Sequence, residues 1–324
     1  AQDELKRRFP HRYGVIPSPS PELVDVSITD KCSFGCSYCY QDSTAKRAHA
    51  RRSLIPTLLK GFDTVPYQIA IGGGEPCGVP DFDEILHEAR SLGTVPNYTT
   101  AGHIFRPAII EATNKVCGGV ALTYHAFKGI EWFEKTYQRW RSALTCQLNV
   151  HLIADKDAAK NLDALTQLQK RVGRLNVVLL AYYPDVGRAS LDYLMTRRVY
   201  SYDFPRAISH ARATGMGIAF SEGLLSFFLS RPEIGINTDF ATRSEGVFSC
   251  YVDPQGRMST SSFDKPNKDA PTIFKRPSQA LWQDLQDWRS MPGGEACYTC
   301  KHKLACSTPS PFHYLACAFA SHNR

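Results

Sequence analysis

Six short apolar runs, at residues 23–28, 68–71, 96–100, 118–123, 147–153 and 176–182, recur at intervals mostly near thirty residues. That interval is the size of a strand–helix–strand unit. The segments between them read as helices. From Asp157 to Val172, the residues Leu162, Leu165, Leu168 and Val172 share one face. Asp81 to Arg90 opens with acidic residues, which a helix N-terminus prefers. Alternation of this kind predicts an α/β chain with a parallel sheet and helical crossovers. Six units fit a partial, TIM-like (β/α)6 barrel. Ligands in such folds sit at the carboxyl ends of the strands, so the residues just past each run carry the chemistry.

Past the first run stands Cys32-Ser-Phe-Gly-Cys36-Ser-Tyr-Cys39. Cubane iron–sulfur clusters are normally held by four thiolates. Three close thiolates without a fourth leave one iron open, which separates a catalytic metal site from a closed structural one. Past the second run stands Gly72-Gly-Gly-Glu75-Pro76. Each block also has a plainer reading. The cysteines fit buried thiols or a zinc knuckle, although zinc wants four ligands. The glycines fit an ordinary strand-to-helix turn.

Together and in this order, the two blocks resemble the radical S-adenosylmethionine (SAM) enzymes. Cys32, Cys36 and Cys39 match the family's cluster motif, with Tyr38 as the aromatic residue before the last cysteine. Gly73, Gly74, Glu75 and Pro76 match its Gly-Gly-Glu-Pro motif. The resemblance implies the same partial barrel and a 4Fe–4S cluster that binds SAM through the open iron. It further implies an external electron donor such as flavodoxin or ferredoxin, and reductive cleavage of SAM to a 5′-deoxyadenosyl radical that takes a substrate hydrogen atom. Glu75 would accept a hydrogen bond from the SAM amino group, Gly73 and Gly74 would allow close backbone approach, and Tyr38 would flank the adenine. Thr123 and Asn149 are the polar candidates for SAM's ribose or carboxylate, or else hydrogen-bonded strand-end residues without a ligand. For a substrate-side acid or base, Tyr124, His125, His151, Tyr182, Glu222 and Cys77 are the candidates, each with a structural reading beside the catalytic one.

The pattern changes near residue 215. Met216–Phe220 reads as one more strand, and Cys250-Tyr-Val-Asp-Pro-Gln-Gly-Arg-Met258 as strand–turn–strand. Leu281, Trp282, Leu285 and Trp288 space as a short helix. Cys297, Cys300, Cys306 and Cys317 supply four thiols, enough to close a cluster. This stretch resembles the auxiliary-cluster domains called SPASM and twitch, as does Pro184-Asp-Val-Gly-Arg-Ala189 after the sixth run. It departs from the full pattern, because residues 259–263 are Ser-Thr-Ser-Ser-Phe where a further cysteine is expected. One auxiliary 4Fe–4S cluster on those four cysteines follows, with Cys250 a remnant. Structural zinc is the alternative. The expected organisation is a lead-in at 1–22, a barrel at 23–215 and a small α+β auxiliary-cluster domain at 216–324.

Eleven cysteines in a 324-residue chain are too clustered for a secreted disulfide framework and point to a reducing cytoplasm. No apolar run reaches the length of a membrane span. The net charge of +7 comes from scattered pairs such as Arg51-Arg52, with no basic stripe interleaved with aromatics, which disfavours nucleic acid. The expected substrate is a ribosomally made peptide or a protein side chain. The alternatives are a small molecule such as a sugar, aminocyclitol or nucleoside, then RNA. A non-catalytic zinc-binding interaction protein is the contrasting class.

Overall fold

The computed structural model describes residues 18–289 apart from 185, 238–243 and 265. Each apolar run becomes a strand: β1 (Leu23–Ser27), β2 (Gln68–Gly72), β3 (Val95–Thr100), β4 (Gly119–Thr123), β5 (Gln147–Ala154) and β6 (Asn176–Ala181). Helices α1 (Leu54–Lys60), α2 (Phe82–Ser91), α3 (Pro107–Val116), α4 (Ile130–Ala143) and α5 (Ala158–Val172) connect them in turn. After β6 come α6 (Phe204–Ala213), β7 (Gly217–Phe220), α7 (Leu225–Leu229), β8 (Ser249–Val252), β9 (Met258–Ser259) and α8 (Ser278–Arg289).

All nine strands form one sheet in the order β7-β6-β5-β4-β3-β2-β1-β8-β9. Every neighbouring pair is parallel except β8 and β9, which close the antiparallel turn expected around Pro254-Gln-Gly256. The segment after residue 215 reaches both edges of the sheet: β7 lies beside β6, and β8 lies beside β1.

The two faces of this sheet differ. Val24, Val26, Ile69, Ile71, Leu122, Val150 and Leu179 are at most 1 % exposed and belong to the same apolar core as Leu162, Leu165 and Leu168 of α5. Each such side chain contributes roughly 1.5–3 kcal/mol by leaving water. Parallel sheets usually bury both faces. Here the alternate residues Asn97, Thr99, Asn149 and His151 are only partly covered, and Asp25 is exposed. The helices therefore cover one face, while among the described residues the other leaves polar side chains such as Asp25, Asn97 and Asn149 at least partly exposed.

Helix α8 anchors the lead-in. The fully buried Trp282 donates from Nε1 to the Ser18 carbonyl at 3.0 Å, and Gln279 Nε2 donates to the Pro19 carbonyl at 2.7 Å. Among the described residues no helix is long and apolar enough to cross a membrane. The expected auxiliary ligands Cys297, Cys300, Cys306 and Cys317 lie outside the described residues.

Candidate metal and cofactor site

The three cysteines occupy a loop that leaves the carboxyl end of β1. Its neck is closed by main-chain bonds: the Cys32 amide donates to the Thr44 carbonyl at 3.0 Å, and the Asp30 amide to Ala48 at 3.0 Å. The glycine block holds the neck from the β2 side. The Gly74 amide donates to the Thr29 carbonyl at 2.6 Å and the Glu75 amide to the Lys31 carbonyl at 3.1 Å. A Cβ on Gly73, whose φ is +115°, would strike the Thr29 carbonyl oxygen; one on Gly74 would strike that of Lys31. The close approach these glycines permit is thus to the cysteine loop's own backbone. Gly72 is the glycine with open space at its Cβ position.

Glu75 is 2 % exposed and caps the one-turn helix Pro76–Gly78. One carboxylate oxygen accepts from Thr100 Oγ1 at 2.7 Å and the Cys77 amide at 3.1 Å; the other accepts from the Ala101 amide at 2.9 Å. Three donors of the chain already occupy the carboxylate expected to face a ligand amine. Burial nonetheless pushes its pKa above the usual carboxylate range, against those hydrogen bonds. His103 Nδ1 stands 3.6 Å from the second oxygen.

Arg188, in the segment after β6, grips the loop from the opposite side. Its guanidinium donates to the Cys36 carbonyl at 3.0 and 3.3 Å and to the Ser43 carbonyl at 3.0 Å, and it pairs with Asp42 at 2.8 Å. The Arg188 amide donates to the Cys39 carbonyl at 2.9 Å. Gly187, with φ of +63°, lies so close that a Cβ would meet the carbonyls of Cys39 and Tyr40. Asp42 itself has φ of +53°, a conformation uncommon outside glycine and most tolerable for Asn or Asp.

Aromatic rings and a histidine cover the loop. Phe34 packs on His103 and His125 at centroid distances of 4.9 and 4.6 Å. His125 Nδ1 lies 3.3 Å from Tyr38 Oη and 3.7 Å from Cys36 Sγ. Ser37 Oγ meets Tyr193 Oη at 2.9 Å. Phe263 stands 4.8 Å from Tyr40 and 4.0 Å from Tyr183, so an aromatic wedge occupies the stretch where a further cysteine was expected.

The thiols fit an iron–sulfur cluster by their chemistry. All three are unpaired and partly exposed. Burial pushes the Cys36 thiol up to about 12, and the charges of Cys39 and Cys32 add to the shift. Burial raises Cys32 as well, with Glu75 and Cys39 contributing. Mutual repulsion of this kind is reversed by a bound cation, which deprotonates its thiol ligands outright. Soft thiolates are the donors that iron–sulfur clusters take. Among the described residues no group of three or more His, Cys, Asp or Glu side chains is arranged around a single metal ion. The ligands of a cubane stand farther apart than those of one ion, because each binds a different iron.

The remaining expected residues lie in several different surroundings. His125 joins the cysteine loop, and burial, aided by His103 and Lys128, pulls it down to about 4. Thr123 and His151 face each other across β4 and β5, and Asn149 Oδ1 accepts from Gln147 Nε2 at 2.8 Å. Tyr124 turns into the core against Phe133 at 5.1 Å, and Cys77 is fully buried. Tyr182 Oη is committed to Ser190, donating to its carbonyl at 2.8 Å and accepting from its amide at 2.9 Å. Glu222, past β7 at the far edge of the sheet, accepts from the Ser244 amide at 2.9 Å. Cys250 is 2 % exposed in β8 and part of the apolar core. Arg188, Asp42, Phe34 and His103 were not singled out from the sequence. The Pro184–Ala189 segment was the one available signal, and it marked Arg188 without showing what it touches.

No family model matches the chain. The PqqA peptide cyclase of Ruegeria pomeroyi is 29 % identical over 115 residues, covering 33 % of this chain and 30 % of that protein. The PqqA peptide cyclase of Gluconobacter oxydans is 21 % identical over 235 residues, covering 67 % of this chain and 65 % of that protein. Each match spans less than two thirds of the relative's own length. Among solved structures, Streptococcus suis SuiB bound to the precursor peptide SuiA superposes with a TM-score of 0.75 at 13 % identity, over 97 % of this chain and 75 % of that one. SuiB solved with S-adenosylmethionine gives a TM-score of 0.72 at 14 % identity, over 97 % of this chain and 77 % of that one. These superpositions show a shared fold.

Proposed function

We propose that the chain is a radical SAM enzyme that modifies a peptide or a protein side chain. The observation that carries this is the joining of the two sequence blocks. The glycine block and the Arg188 segment hold a loop of three unpaired thiols at the carboxyl end of β1, where ligands sit in folds of this kind. The likeness to two PqqA peptide cyclases, and to a fold that elsewhere holds SAM and a precursor peptide, supports the reading.

Cys32, Cys36 and Cys39 would hold a 4Fe–4S cluster, and Cys297, Cys300, Cys306 and Cys317 an auxiliary one. The bound cluster and SAM supply one-electron cleavage of the sulfonium and a carbon radical able to take a hydrogen atom; this chemistry belongs to the cofactors. The protein's part is to bind, orient and exclude water. Glu75 pins the turn after β2 to Thr100 and Ala101 of β3 and its exit, and its carboxylate, with acceptor capacity for one more donor, would receive the SAM amino group. Tyr38, with His125 and Phe34 behind it, forms the flat wall for the adenine. Thr123 and Asn149 offer polar groups on the open face for the ribose or carboxylate. The auxiliary cluster, closed by four cysteines, would pass electrons or brace the fold.

The test is iron and sulfide content after anaerobic reconstitution, beside a variant with Cys32, Cys36 and Cys39 all changed to Ala. About eight irons in the wild type and about four in the variant support both clusters. About four and nearly none remove the auxiliary cluster. Colourless protein that holds zinc in place of iron overturns the reading.

A further inference from the structure

The open face of the sheet carries a carboxylate that the site described above does not use. Val24 and Val26 are buried toward the helices, so the alternating Asp25 of β1 projects from the opposite face. In register beside it stand Ala70 of β2 and Tyr251 of β8. Ala70 is small, and Gly72, two residues on, has open space where a side chain would begin. Neighbouring strands lie about 4.8 Å apart. One of these neighbours is tied to the cysteine loop: Tyr251 Oη accepts from Gln41 Nε2 at 3.3 Å, two residues after Cys39. Asp25 thus lies beneath the loop, beside room for an incoming group.

Asp25 is exposed to solvent on the face away from the helices. Partial desolvation by the surrounding protein still pushes its carboxyl up to about 6. Among the described residues no hydrogen bond or ion pair to this carboxylate is seen. Among the described residues, Tyr40 and Cys250 feel its charge, and neither is a cation. An ionised carboxylate held in such a place without a partner is costly, and a cation offsets that cost.

We propose that Asp25 is a specificity-determining residue that receives a positively charged group of the substrate: a lysine side chain, an arginine side chain or a free amine. The proposal rests on the reading of the site as a peptide-modifying radical SAM centre.

The experiment titrates reconstituted wild type with n-butylammonium, n-propylguanidinium and glycinamide, stand-ins for the three cation sources, and with neutral butyramide, by ligand-observed NMR. At least one cation binds about tenfold tighter than butyramide, and Asp25→Asn loses the preference. Asp25→Glu, which keeps the charge, retains part of it. Whichever probe binds best names the source. Equal binding of cations and butyramide by the wild type overturns the proposal, as does an unchanged preference in Asp25→Asn. Should Asp25→Asn fold poorly by thermal melting, the wild-type and Asp25→Glu titrations still decide. Release of 5′-deoxyadenosine by the wild type is measured alongside. If SAM is cleaved and no cation is preferred, Asp25 fails alone. If SAM is not cleaved, the underlying reading fails.

Discussion

Two nitrogens of the Arg188 guanidinium donate to one main-chain oxygen, the carbonyl of Cys36, at 3.0 and 3.3 Å. The residue after β6 thereby fixes the backbone of a cysteine that follows β1. A third bond reaches Ser43, so the grip spans most of the loop. The ion pair with Asp42 is partly exposed and adds little by itself. The carbonyl bonds carry the effect, at roughly 1.5–3 kcal/mol for a hydrogen bond to a charged group.

Replacing Arg188 by Gln frees the loop. Iron should then leave the reconstituted protein about tenfold faster when a chelator is added. Arg188→Lys should fall between, because lysine keeps the charge and loses the planar fork. Absorbance during chelation reads the rate. Equal rates in all three proteins would show that the loop is held by other contacts.

Gly73→Ala and Gly74→Ala should each destabilise the protein by roughly 1–3 kcal/mol, the usual cost of forcing a carbon into filled space. The added Cβ meets the carbonyl of Thr29 or of Lys31. Gly72→Ala should cost less, since its Cβ position is open. Urea denaturation of the cluster-free proteins ranks the three, and a larger loss at Gly72 than at Gly74 would contradict the packing described.

Much of the fold was legible because one face of each strand is uniformly apolar. Val24 and Val26, Ile69 and Ile71, and Leu148, Val150 and Leu152 alternate at the strand period, and the runs 23–28, 68–71 and 147–153 end within one residue of β1, β2 and β5. The site was legible only where residues are contiguous. The spacing of Cys32, Cys36 and Cys39 shows itself in eight residues, whereas Arg188 meets Cys36 from 152 positions away. The sequence marks Glu75 but not its partners Thr100 and Ala101 on the neighbouring strand and its exit, and they add a brace to the expected ligand contact. Local pattern likewise gave no sign that β8 would pair with β1, because pairing partners so distant in sequence leave no periodic trace.

His125 gives a pH dependence. It is 6 % exposed, and burial holds it at about 4, below the unfolded value of about 6.5. The unfolded chain therefore binds the proton more readily between those values, and stability falls as pH drops from about 6.5 toward about 4. The loss reaches up to about 2 kcal/mol near pH 5. In cluster-free protein His125→Gln should remove this part of the acid-side slope. An identical slope in both proteins would place His125 in a wetter site.

Cys250→Ala should leave iron content unchanged and lower stability by roughly 1–2 kcal/mol, since the thiol is buried in β8 and acts as a small apolar side chain. A parallel loss of iron would make Cys250 a ligand of the auxiliary cluster after all.

The most direct measurement is SAM cleavage. Reconstituted wild type and Cys36→Ala are each incubated without oxygen with SAM and dithionite, and 5′-deoxyadenosine and methionine are quantified. The wild type should release the two in equal amounts and the variant neither. A wild type that holds its iron yet releases no 5′-deoxyadenosine, or a variant that matches it, would contradict the assignment of the cysteine loop as a radical SAM centre.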